Sequence, residues 1–137
     1  MKQYNVSVAG EWLGSDLEQA VIHSPLSGEP VSSVPKLTSE HVDQAVSLAK
    51  QALAQSEWAF NGRLRADVLS EWADNIEANV ETLAHCLTEE NGKRLGEAKF
   101  EVANQVNVIR YNAGLARTIC GRSQSFSNDV MGVVARE

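Results

Sequence analysis

Candidate chemistry in this chain starts at His85-Cys86, the one place where a thiol and an imidazole are neighbours in sequence. A nucleophilic cysteine needs a base within hydrogen-bond reach, or a cationic setting, that holds it as thiolate. Around the pair, Val80, Leu83, Ala84 and Leu87 recur at three and four, which predicts a helix. Successive helical side chains project about 100° apart, so the imidazole is turned away from the thiol. Cys86 therefore reads as a small apolar residue beside Leu83 and Leu87, free cysteine being among the most buried residue types. Cys120, on the apolar face of a later helix, reads the same way. A thiol enzyme built on Cys86 stands as a rival reading, excluded by slow modification with a thiol reagent at neutral pH. His23, His41 and His85 fall on different elements, and none has a Cys or His partner at metal-ligand spacing. Glu89-Glu90 and Glu97-Glu101 read as solvated helix faces rather than acid/base pairs. Gly92-Lys93 looks like the end of a phosphate-binding loop, but helical residues precede it and Arg94 follows where Ser or Thr is needed. No G-x-G-x-x-G follows a strand. Residue types and spacing thus yield no self-contained catalytic constellation.

Composition narrows the class. The chain has 137 residues, 43% of them apolar, which is the balance of a globular protein and excludes disorder as a description of the whole. No apolar run approaches the roughly 18 to 20 residues of a spanning helix, so no membrane partner is expected. Twelve basic against eighteen acidic residues leave a formal charge of −6, and the basic ones are scattered. Arg63-Leu64-Arg65 is too short for a phosphate-neutralising patch, so no nucleic-acid partner is expected. Met1-Lys2-Gln3-Tyr4-Asn5 leads into an alternating polar segment, not an apolar signal core, and two cysteines make no disulfide framework. A cytoplasmic location is the expectation.

The elements that must position any site follow from proline and from hydrophobic period. Pro25, Pro30 and Pro35 are the only prolines, so the rest of the chain is free to be helical. Tyr4, Val6 and Val8 alternate with polar residues, Ala9-Gly10-Glu11 turns before Trp12, and a second strand runs from Leu17 to Ile22. It stops at the turn Ser24-Pro25-Leu26-Ser27-Gly28, and Val31 and Val34 extend between Pro30 and Pro35, which predicts a small β-meander. Thr38 or Ser39 then caps a helix whose buried stripe is Val42, Ala45, Val46, Ala49, Ala52 and Leu53. After the Trp58-Ala59-Phe60-Asn61-Gly62 link, a second helix presents Leu64, Val68, Leu69, Trp72 and Ile76 on one face. A third begins near Asn79 and stops at Asn91-Gly92. The fourth carries Leu95, Ala98, Val102, Val106, Ile109, Ala113, Ala116 and Cys120, with Gly121 as its C-terminal cap. Ser123 to Phe126 and Val130 to Arg136 form a hairpin around Ser127-Asn128-Asp129, and its strands need partners that the chain does not obviously provide.

Several segments in order resemble one family. They are Gly10-Glu11-Trp12, Ser24-Pro25-Leu26-Ser27-Gly28 with Ser24 where asparagine is usual, Arg65-Ala66-Asp67-Val68-Leu69, and Trp72-Ala73-Asp74-Asn75-Ile76-Glu77. Leu83-Ala84, Glu90-Asn91-Gly92-Lys93, Glu97-Ala98-Lys99-Phe100-Glu101-Val102 and Arg110-Tyr111-Asn112-Ala113-Gly114-Leu115-Ala116 follow. Val133-Val134-Ala135-Arg136-Glu137 is similar to a strand that leads into a Pro-x-Gly-Val segment. Together they resemble the N-terminal portion of the NAD(P)-dependent aldehyde dehydrogenase superfamily.

The resemblance implies an α/β aldehyde dehydrogenase-like fold in the full enzyme, of which this chain is a mostly α-helical part with an N-terminal β-meander and a C-terminal β-hairpin. Residues 1–121, with strands over 4–34 and helices over about 39–121, would be the leading part of the cofactor-binding domain. Residues 122–137 would be truncated strands of the oligomerisation sheet. In the family a later cysteine attacks the aldehyde, the thiohemiacetal passes hydride to NAD or NADP, and a later glutamate activates water to release the acid. Neither Cys86 nor Cys120 matches that cysteine, so the resemblance implies an inactive scaffold segment of an enzyme that is a homodimer or homotetramer. Carried over by position are a monovalent cation site at Ile22, His23 and Glu90, with glutamate for the more usual aspartate, and a border of the substrate tunnel at Phe100, Glu101 and Asn104. Asn104 beside Asn107 and Asn112 suggests a tunnel less greasy than one for long alkyl aldehydes; plain exposed polar positions are the alternative. The rival from another class is a stand-alone helical protein-interaction module, which should end in a polar or capped terminus.

Overall fold

The computed structural model describes residues 1–8, 10–14 and 16–134. Five short strands come first: β1 (Lys2–Gln3), β2 (Val6–Val8), β3 (Glu11–Leu13), β4 (Gln19–His23) and β5 (Pro30–Pro35). Four helices follow, α1 (Ser39–Gln55), α2 (Gly62–Ala78), α3 (Val80–Asn91) and α4 (Leu95–Thr118), with a 3-10 turn at Glu57–Ala59 between the first two. A hairpin of β6 (Arg122–Ser127) and β7 (Val130–Val134) closes the described chain. Among the described residues no helix is long and apolar enough to cross a membrane.

The strands are not one meander. β2 pairs antiparallel with β3, and β4 with β5, but β1 returns to lie parallel to β5, giving a separate sheet of order β1-β5-β4. The Tyr4 N–H donates to the Ser33 carbonyl (2.9 Å), which extends that parallel pairing past β1. The expected proline turn is present: the Ser24 hydroxyl accepts from Leu26 N–H (3.3 Å), and Gly28 N–H donates to the Ser24 carbonyl (2.8 Å). Part of the expected turn at Ala9 and the end of the expected last strand, Ala135 to Glu137, lie outside the described residues.

α1 starts where expected, with Thr38 as N-cap. The box is closed by an unanticipated residue, His41, whose Nδ1 accepts from the Thr38 N–H (3.1 Å). Its predicted stripe is not buried: among the described residues of α1 none is, and Val42, Val46 and Leu53 are about half exposed. In α2 the expected face is displaced in part. Leu69 and Ile76 of that face pack against the core as expected, but Leu64, Val68 and Trp72 are exposed and Ala66 and Ala73 are buried in their place, because α4 approaches on the side with the smaller residues.

The core is built on α4. Ala66, Ala113 and Ala116 join α2 to α4 with Leu69 against them. Ala84, Ala98 and Val102 join α3 to α4, flanked by Ile76, Val80, Leu87 and Leu95. These are the positions that the period of the last helix predicts, except at its end. The helix stops at Thr118 with Ile119 as an extended cap, so Cys120 lies outside it and is exposed, and Gly121 is not the cap. Two β-branched residues in succession, Thr118 and Ile119, are poor continuers of a helix.

Candidate functional site

α4 begins without a side-chain cap at Arg94, and its first three turns carry Gly96, Glu97, Phe100, Glu101 and Asn104 along one flank. With Lys93 from the α3–α4 link these residues line an open groove of about 460 Å³. The three residues expected at a tunnel border are thus brought together. Phe100 and Asn104 are one turn apart, and Phe100 lies 75% exposed, an apolar side chain largely open to solvent. Glu101 is not a bare solvated carboxylate, since it pairs with Lys93. Lys99 pairs with Glu81 (2.7 Å) and ties α4 to α3 alongside the groove. Asn107 and Asn112 are not among the lining residues, and the Asn112 amide donates to the Val108 carbonyl (2.8 Å) on its own helix. The groove can shape and contact a ligand. Its rim holds an ion pair and an amide but no nucleophile.

Of the residues named for a cation, Ile22 and His23 do not line the recess that Glu90 lines. β4 has a register break between Ile22 and His23, and Ile22 pairs with Ser32 across the sheet. Glu90, in the last turn of α3, lines a recess of about 220 Å³ with Ser32, Lys2, Tyr4 and Cys86. Gly92 has φ +69°, the left-handed turn that ends α3, and a Cβ there would stand 3.0 Å from the Pro25 ring. Among the described residues no three His, Cys, Asp or Glu side chains cluster to hold a metal by themselves.

Cys86 is half-buried, and its neighbour is a phenol: the Tyr4 hydroxyl lies 3.6 Å from Sγ. That hydrogen bond, ahead of burial and the nearby Glu89 and Glu90, raises the Tyr4 pKa above its ordinary value. His85 is exposed on the adjoining face, as the helical spacing requires. The contact between residues 4 and 86 depends on the parallel return of β1, which no local pattern announces.

A second cluster went unread in the sequence. Arg110 of α4 donates to Asp74 (2.7 Å) and Glu77 (2.6 Å), two carboxylates three residues apart on α2. The guanidinium holds the Glu77 carboxyl below its ordinary range, and the two carboxylates push Arg110 up. All three groups are exposed, so the cluster clasps two helices and performs no chemistry.

Comparison with known proteins adds a family, a relative and two solved structures. The family described as "Aldehyde dehydrogenase family" matches residues 12–137. Glutarate-semialdehyde dehydrogenase of Pseudomonas putida is 34% identical over 116 residues, 83% of this chain and 24% of that protein. Among solved structures, an NAD-dependent aldehyde dehydrogenase from Sinorhizobium meliloti superposes with a TM-score of 0.86 at 28% identity, covering 100% of this chain and 28% of the other. An NADP-dependent glyceraldehyde-3-phosphate dehydrogenase from Bacillus halodurans, complexed with NADP, gives 0.87 at 28% identity, over 100% of this chain and 30% of that one. The chain spans about a quarter of the length of the relatives it matches.

Proposed function

Because the chain belongs to the aldehyde dehydrogenase family, we propose that it serves as the leading structural segment of an enzyme that oxidises an aldehyde to a carboxylic acid with NAD or NADP. One observation carries this reading: every part of the chain, from the strands to the hairpin, superposes on about a quarter of a solved NAD-dependent aldehyde dehydrogenase. Residues 1–121 would wrap the cofactor-binding domain of that enzyme, and 122–137 would enter the sheet through which its subunits form a homodimer or homotetramer, in the cytoplasm. The exposed hairpin residues Phe126, Met131, Val133 and Val134 and the uncovered stripe of α1 support such a role, since each is apolar surface awaiting a partner.

The start of α1 is not built to cradle a dinucleotide phosphate. The link between β5 and α1, Lys36 to Thr38, has no glycine, and the first N–H groups of α1 face a side-chain cap rather than a phosphate. No step of the reaction is assigned to the described residues. What this chain's residues would do is hold shape: Phe100, Glu101 and Asn104 border the aldehyde's path, with Lys93 restraining Glu101. Ile22, His23 and Glu90 would hold a monovalent cation that fastens the end of α3 to the β4–β5 turn.

The test is an assay of the purified 137-residue chain with NAD+ or NADP+ and a panel of semialdehydes. No reduced cofactor is expected. Robust turnover by this chain alone overturns the scaffold assignment. For the cation, added sodium or potassium should raise the melting temperature of the chain but not of Glu90→Gln; an equal response of both removes Glu90 from the site.

A further inference from the structure

The chain contains two Asn-Gly dipeptides, Asn61-Gly62 and Asn91-Gly92. An asparagine followed by glycine is open to internal attack, because glycine has no Cβ to keep its amide nitrogen from the preceding side-chain carbonyl carbon. The two pairs share this chemistry and differ in how the fold holds them.

Asn61 is the half-buried N-cap of α2. Leu64 N–H donates to its Oδ1 (2.9 Å), and its own Nδ2 donates to Glu57 Oε2 (2.8 Å). Gly62 is held against α4, where a Cβ would stand 2.4 Å from the Ala116 carbonyl oxygen. Presenting the Asn61 amide to the Gly62 nitrogen breaks both side-chain bonds, one of them to a carboxylate, and lifts the start of α2 off α4. Asn91 is the exposed last residue of α3. The Gly92 nitrogen is restrained by one backbone bond, to the Thr88 carbonyl (2.9 Å), in a terminal turn that opens with little other structure lost.

We infer that Asn91 is a site of self-catalysed deamidation gated by opening of the last turn of α3, and that the Asn61 cap protects the second Asn-Gly pair. The Gly92 nitrogen gives up its proton to solvent and bonds to Asn91 Cγ. The Cγ–Nδ2 bond breaks, and the nitrogen leaves as ammonia. Water then opens the cyclic imide at either carbonyl, leaving aspartate or isoaspartate, with no change of oxidation state. The product places a third carboxylate after Glu89 and Glu90. Isoaspartate also adds a methylene to the main chain beside the Gly92–Pro25 contact, so the reaction loosens the joint between α3 and the β4–β5 turn.

The experiment incubates the intact chain in mildly alkaline buffer, folded and in parallel in concentrated urea, and follows both dipeptides by peptide mass spectrometry with isoaspartate-specific methylation. In the folded chain Asn91 should convert at least about tenfold faster than Asn61, the two extra side-chain bonds accounting for the gap. In urea the two rates should converge, and Asn91→Gln should remove the fast product while Asn61 stays slow. Equal rates in the folded chain, a faster Asn61, or a gap that persists in urea overturns the inference. So does an Asn91 that stays intact while the urea-unfolded chain converts.

Discussion

Helices α1 and α4 both repeat apolar residues at three and four, yet α4 buries Ala98, Val102, Val106, Ala113 and Ala116 whereas α1 buries no described residue. Period identifies a face that can be covered. Coverage needs a second surface of matching depth. α4 has two, because α2 and α3 offer Ala66 and Ala84 at the points of approach, and short links join α2 to α3 and α3 to α4. Among the described residues α1 packs chiefly against the Glu57–Ala59 turn, where Arg65 donates to the Ala59 carbonyl (3.0 Å), and its stripe faces outward.

This contrast can be broken most sharply by filling space. Ala98→Leu should cost about 1–3 kcal/mol of stability by overpacking the α3–α4 seam, whereas Ala49→Leu on exposed α1 should stay within about 0.5 kcal/mol. Urea unfolding midpoints decide it, and equal losses would mean that α1 is packed after all. The next effect is smaller and local. Thr38→Ala removes the cap and box of α1, a change of about 1 kcal/mol in that helix. Hydrogen exchange should quicken along α1 and stay unchanged along α4; parallel changes in both would join the two helices in one cooperative unit. The smallest effect concerns the Arg110 clasp. Glu77 titrates below its ordinary value in the folded chain, so its contribution is complete above the unfolded glutamate pKa of about 4.3 and is lost as pH falls through the folded value. Exposure and salt keep it small, and Arg110→Ala should flatten the acid limb of the melting profile; an unchanged limb would leave the clasp without a role.

Local signals were the legible part of the fold. Thr38, the Ser24-Pro25 turn, the Asn91-Gly92 stop and the hairpin turn at Asn128-Asp129 all act through short-range chemistry, and all fall where expected. Phe100, Glu101 and Asn104 share a groove because helical spacing alone puts them on one flank. What the sequence could not disclose depends on approach from a distance. The parallel return of β1, the Tyr4–Cys86 contact and the Arg110 clasp join residues thirty or more positions apart. The exposed stripe of α1 and the exposed Leu64, Val68 and Trp72 of α2 have the same cause: period counts apolar residues, but nothing local says which side a neighbour takes. Family resemblance reached further than pattern because it carries the neighbours with it.

The alanine seam of α2, α3 and α4 has one more consequence. A methyl side chain has no rotamers to surrender, so helices that meet through Ala66, Ala73, Ala84, Ala98 and Ala113 order almost nothing beyond their backbones when they dock. The seam is therefore entropically light to assemble, and its small apolar area leaves it a modest reserve of cohesion.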